Sequence, residues 1–273
     1  MRHFLLLVSF SILSNFVAAQ KDSIIKYYDI NNKIINDNEL VKNEARKIEI
    51  LTKEDDSLWM VRIYRRNGKL IRYGHFKSKN KKVPVGEFIS YNRKDSISGI
   101  LYYNSKGLKH GKTKTWFSNR NRKSEGIYLE NKKEGVWKHY HYDGSVAVKS
   151  VFKNDSLLMR TFYNEEGDII NYRGTDKFFK PKFKGGKNKF NRIVGKVLDK
   201  IDYNLDGTVH VNFTVDISGN IINVEVENKE LPSSVINNLT AHFEGIKGWQ
   251  PALHLNRKLP YDFSIPLKFR SLK

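Results

Sequence analysis

Val209, Val211, Phe213 and Val215 alternate with His210, Asn212, Thr214 and Asp216, the period of two that marks a strand with one buried face. Residues 217–220, Ile-Ser-Gly-Asn, supply a turn. The return leg alternates again, Ile222, Val224 and Val226 against Asn223, Glu225 and Glu227, so the two legs predict a hairpin with a single apolar side. Phe263, Ile265, Leu267 and Phe269 repeat the period in a third strand. Pro266 falls inside it and has no N–H to give to a ladder, which predicts a sheet edge or a break in pairing. Two stretches change to the helical period. Phe190, Ile193, Val194, Val197, Leu198 and Ile201 follow i, i+3, i+4, i+7, with Lys189, Arg192, Lys196 and Lys200 mainly on the opposite side. Val235, Leu239, Phe243 and Ile246 form a second stripe after the start signal Pro232-Ser233-Ser234. Each buried aliphatic or phenyl group contributes about 1.5–3 kcal/mol. These elements predict a small C-terminal α+β domain over residues 187–273, two helices on a three-stranded antiparallel sheet.

Upstream, residues 61–170 repeat a different pattern. Aromatics precede Asn- or Asp-centred turns with Gly at Asn67-Gly68, Asn104 to Gly107, Asp143-Gly144 and Asn164 to Gly167, each followed by a β-branched or aliphatic restart, the short-range signal of a β-hairpin. G-x-aromatic connectors at Gly86-Glu87-Phe88, Gly126-Ile127-Tyr128 and Gly135-Val136-Trp137 separate them. The step from Trp116 to Tyr140 to Tyr163 is about two dozen residues, so a small unit stacks on its neighbours. Residues 20–60 are a polar lead-in with a short helix or strand around Glu44 to Ile50. Residues 171–186, with Pro181, Gly185 and Gly186 between incompatible periodicities, predict a linker.

Two resemblances follow from these residues. Residues 180–186 (Lys-Pro-Lys-Phe-Lys-Gly-Gly), the hairpin pattern from Val211 to Ile221, Gly248-Trp249-Gln250-Pro251-Ala252 and the closing F-x-I-P-L-x-F occur in the order found in the C-terminal domain of TonB-type energy transducers, in the version common in Bacteroidota. The likeness covers about residues 178–271. It departs at Asn256-Arg257-Lys258, where the family has Asn-Gly-Lys. Residues 60–170 resemble the MORN-variant repeats, also found in a family named for YwqK antitoxins, best at Gly107 to Trp116 and Glu134 to Tyr140. This resemblance implies an elongated antiparallel β-meander with no enzymatic activity attached. The expected class is thus mixed: MORN-like hairpin repeats followed by a TonB-like α+β domain.

Composition narrows the setting. The chain has 273 residues, no cysteine and a formal net charge of +20. Arg2 and His3 precede an apolar run ending in Val17-Ala18-Ala19 before Gln20, which predicts a secretory signal peptide over residues 1–19. An exported chain without cysteine has no disulfide staple and no thiol chemistry. The expected location is the periplasm or the outer membrane of a Gram-negative envelope, where a basic protein meets anionic lipid headgroups or acidic partners rather than nucleic acid. An uncleaved N-terminal anchor with a working energy transducer is the alternative reading.

Candidate chemistry is sparse. Asp202, Asn204, Asp206 and Gly207 open like a calcium loop, but the twelfth position is Phe213 instead of a bidentate Glu, and the pattern fails. His139 and His141 lie two apart on an expected strand with no evident third ligand, so no metal is expected. No nucleophile elbow, zincin motif, phosphate loop or defensible carboxylate pair is present. The reading is non-enzymatic, with no catalytic residue and no cofactor. What remains is an edge: Tyr261, Asp262, Phe263, Ser264, Ile265, Leu267 and Lys268 either accept an extended peptide as an added strand, or are blunted by Pro266 and Lys268, or pair with a second copy. The resemblance implies a short peptide of an outer-membrane receptor as the partner.

Overall fold

The computed structural model describes residues 23–29, 31–38, 40–41, 45–201, 207–227 and 231–269. The expected leader, and Asp202, Asn204 and Asp206 of the failed calcium loop, lie outside them. By packing, the chain divides into two compact units. One holds the residues up to His139 with Lys149–Arg160; the other holds Tyr140–Val148 with Thr161 onward.

A long antiparallel β-meander fills the first two thirds of the chain. Its strands are β1 (Ser23–Tyr28), β2 (Ile34–Ile35), β3 (Lys47–Asp55), β4 (Leu58–Arg65), β5 (Leu70–Phe76), β6 (Pro84–Tyr91) and β7 (Ile97–Tyr103). They continue as β8 (Gly111–Trp116), β9 (Arg122–Leu129), β10 (Lys132–Tyr140), β11 (Val146–Lys153), β12 (Ser156–Tyr163) and β13 (Ile169–Ile170). The thirteen strands lie in sequence order except that β1 sits between β3 and β2. Among the described residues the sheet starts at Ser23, inside the expected lead-in, and after β1 Asp29 Oδ1 accepts the N–H groups of Asn31 and Lys33 and turns the chain without glycine.

The Asn- and Asp-centred motifs are turns of one kind. In 92–96, 104–108 and 164–168 the first residue's N–H bonds the fifth residue's carbonyl, while its side-chain oxygen accepts from the fifth residue's N–H. Trp116, Tyr140 and Tyr163 each end a strand immediately before a five-residue turn closed by the same backbone bond, although at 117–121 and 141–145 the third residue, Asn119 or Asp143, supplies the side-chain acceptor.

The G-x-aromatic connectors do something more specific. Gly86 and Gly135 take φ of 69° and 65°, at places where the pairing register shifts. This bulge swings Phe88 and Trp137 over the neighbouring strand, where a Cβ on Gly74 or Gly126 would lie inside the ring. Trp137 Nε1 donates to the Ile127 carbonyl at 3.1 Å. At the intervening step, after Gly111, Thr113 replaces the aromatic and bonds the Ile100 carbonyl. Phe88 is the centre of a small core with Leu51 and Val61, edge-on to Phe76 at 5.3 Å and Tyr103 at 5.0 Å.

The second unit holds α1 (Gly186–Leu198), β15 (Gly207–Val215), β16 (Ile221–Glu227), α2 (Ser233–Gly245) and β20 (Tyr261–Phe269), with short pairs β14 (Lys182–Phe183) with β17 (Trp249–Gln250) and β18 (Ala252–His254) with β19 (Arg257–Leu259). Phe190, Val194 and Val197 of α1 and Val235, Leu239 and Phe243 of α2 are buried with Val209, Val211, Phe213 and Val215. Two details differ from the sequence reading. The polar positions of β15 are also buried, His210, Asn212 and Thr214 being 2–8% exposed, because acids on the flanking strands fold over them: Asn212 Nδ2 donates to Glu227 and Thr214 Oγ1 to Asp262, each at 2.6 Å. On β16 a bulge at Asn223, φ 52°, changes the parity, so Ile221 rather than Ile222 joins Val224 and Val226 at the core. Residues 179–183, placed in a linker by composition, pair instead: Phe179 with Leu253, and Lys182–Phe183 with Trp249–Gln250.

At the tip between β18 and β19, Leu255 and Asn256 take φ of 50° and 63°. A leucine in the left-handed region is strained. Its side chain is held by Ala147, Val148 and Phe162. Beside it Arg257, 2% exposed, donates to the Tyr140 carbonyl at 3.1 Å, and burial pushes its guanidinium down to about 10. Arginine at this place thus makes a contact that a glycine could not.

Candidate functional site

The candidate site is the outer rim of β20. The strand order β16-β15-β20 leaves β20 at one end of its sheet, paired with β15 without interruption from Tyr261↔Val215 to Phe269↔Gly207. Pro266 stands opposite His210 inside that pairing. Because proline has no N–H, an unbroken ladder requires its nitrogen to face away from β15. Alternation along the strand then turns the N–H and C=O of Asp262 and Ser264 outward as well. Of the residues expected at the site, these two carry the open backbone groups, joined by the backbone of Lys268. Tyr261, Phe263, Ile265 and Leu267 bond inward to β15 and turn their side chains to the core.

That inward face is rigid. Phe263 stacks on Phe213 at 5.3 Å and lies 5.0 Å from both Trp249 and Tyr261. Tyr261 in turn meets Phe178 at 6.0 Å. Asp262 and Ser264 are exposed, so a strand added at this rim would find side-chain space on the solvent face. The opposite edge of the sheet, β16, is less suited. Its bulge at Asn223 interrupts the row of backbone groups, and exposed Glu225 adds charge.

Sequence reasoning missed the neighbours of this rim. Phe178, Phe179 and Leu253 are 45%, 39% and 38% exposed, an apolar patch next to Tyr261. Their signal was present as Lys177-Phe178-Phe179-Lys180, but a linker assignment concealed it.

The other candidates resolve locally. His141 is buried, and its Nε2 lies 3.0 Å from the Tyr163 carbonyl, a structural bond. Among the described residues no group of three or more His, Cys, Asp or Glu could hold a metal ion, and no helix is long and apolar enough to cross a membrane. A cavity of about 330 Å³ on the meander is lined by Lys112, Lys114, Glu125 and Lys138 with Ile127 and Val136. It gathers no catalytic set.

No family model matches the chain, and no curated protein matches it in sequence. Among solved structures, part of the chain is similar to a TarM variant from S. aureus in complex with fondaparinux, alpha-GlcNAc-glycerol and UDP, and to TarM itself. Each is 14% identical with a TM-score of 0.25, over 45% of this chain and 23% and 22% of those chains. The chain thus spans less than a quarter of the length of these proteins, and a likeness of this size carries no functional argument.

Proposed function

We propose that the chain is a non-enzymatic, exported interaction protein of the cell envelope, whose TonB-like C-terminal unit takes up an extended peptide along β20. One observation supports this above the others: β20 is regular over nine residues and ends its sheet. Its outward groups at Asp262 and Ser264 form a template for β-augmentation, in which backbone bonds give affinity and side-chain space gives selectivity. The resemblance to TonB-type domains points to a receptor segment as the partner. The hairpin meander, similar to MORN-variant repeats, supplies spacing and further contact surface.

The test is site-specific photo-crosslinking from position 264 in intact envelopes, compared with the same probe in an Asp262→Pro background. Capture of an outer-membrane β-barrel that disappears in the proline variant is the expected result. Capture of this chain alone would replace the reading with self-association. Asp262→Pro removes one outward N–H and no backbone bond to β15, but it also removes the carboxylate that Thr214 Oγ1 bonds, so circular dichroism checks the fold while docking should weaken roughly tenfold. A mature N-terminus at Gln20 is expected for the exported form; retention of residues 1–19 would favour the transducer.

A further inference from the structure

Lys189, Arg192 and Lys196 fall within one narrow stripe on the exposed side of α1, turned from the face that carries Phe190, Val194 and Val197, and exposed Lys200 follows in the turn just past the helix end. Its first turn contains no acid. A solvated helix face ordinarily mixes signs, and lysines near a helix N-terminus oppose its dipole. Just before the helix, Lys177, Lys180, Lys182 and Lys184 are exposed, and Asp199 is the single acid between 177 and 200. No ion pair formed between described residues engages any of these eight cations.

Between Lys177 and Lys180 in the chain, Phe178 and Phe179 are exposed and form an apolar patch with Leu253. It is held in place: Phe179 and Leu253 exchange two backbone hydrogen bonds of 2.9 Å, and the Phe178 ring lies against Tyr261 and His254. Ordered apolar side chains between lysines suit a boundary where headgroup phosphates meet acyl chains. A nucleic acid or an acidic glycan would engage the cations and leave Leu253 without a use, since an aliphatic side chain offers no stacking face.

We infer that the apolar patch of Phe178, Phe179 and Leu253 docks on an anionic lipid bilayer, with the exposed cations between Lys177 and Lys200 supplying the attraction to its headgroups. The partner is the membrane itself, at a patch that adjoins the β20 rim through Phe178 and Tyr261.

Flotation of the full chain with vesicles of phosphatidylcholine, with and without phosphatidylglycerol, tests it. Binding is expected only with phosphatidylglycerol and should fall with added salt. Removing the stripe by Lys189→Gln, Arg192→Gln, Lys196→Gln and Lys200→Gln together should lower partitioning on the order of a hundredfold. Phe178→Ser with Phe179→Ser should lower it roughly tenfold or more and leave the salt dependence in place. All six positions are exposed or partly exposed, and circular dichroism of each variant confirms the fold. Equal binding to both vesicle types, no binding to either, or full binding by the stripe variant would overturn the inference. So would a single-stranded oligonucleotide that displaces the protein from vesicles in the phenylalanine variant and the native chain alike.

Discussion

Gly74 and Gly126 show how the meander is built at the scale of one residue. Each leaves room for an aromatic ring from the next strand, so Gly74→Ala and Gly126→Ala must displace Phe88 or Trp137. A loss of about 1–3 kcal/mol is expected for each, read from urea unfolding. Gly99→Ala is the control: its nearest atom would stand 3.8 Å away, and a change within about 0.5 kcal/mol is expected. Tyr128, packed edge-on against Trp137 at 4.9 Å, adds a pH dependence. Burial, with the Asp155 carboxylate adding to it, raises its phenol above the ordinary tyrosine range. The unfolded chain gives up that proton first. The stability concerned is whole below the ordinary pKa and is lost as pH rises through the folded one. Tyr128→Phe should therefore flatten the decline of melting temperature above about pH 10.

Turns and strands obey local chemistry wherever the partners are near in sequence. At 216–220, Asp216 accepts from the N–H groups of Ser218 and Asn220, both at 2.8 Å, and fixes the β15–β16 register. Asp216→Ala should cost about 1–2 kcal/mol in denaturant unfolding. Such turns were legible in the sequence, as were the strand alternation of 209–215 and both helix stripes. The buried polar side of β15 was not, since Thr214 meets Asp262 48 residues away and no local pattern records that. The parity change at Asn223 was hidden too, because a bulge adds one residue without a composition signal. Of the two alternatives that Pro266 offered, β20 takes the sheet edge, and its pairing with β15 runs through the proline unbroken. Which residues hold open backbone groups needed the register.

Across the whole chain, the division into units does not follow the division of sequence patterns. Tyr140–Val148, within the repeats by its aromatics, packs in the same unit as the C-terminal domain. The tip at Leu255 shows why: its side chain closes over Ala147, Val148 and Phe162, and Arg257 caps the Tyr140 carbonyl. Leu255→Ala should lower stability by about 2–5 kcal/mol, measured by thermal unfolding of the full chain, although it sits in a surface turn. A fragment that starts at residue 171 lacks this seat entirely. It is expected to melt earlier than one that starts at 140. The same anchorage bears on how β20 would respond to traction. All nine of its residues face β15 in one register, and Arg257 and Leu255 fasten the chain just ahead of it. A partner tugging along the strand axis would load the whole ladder at once, in shear, whereas a sideways pull would peel it rung by rung. A tether seated there would therefore hold best under lengthwise tension.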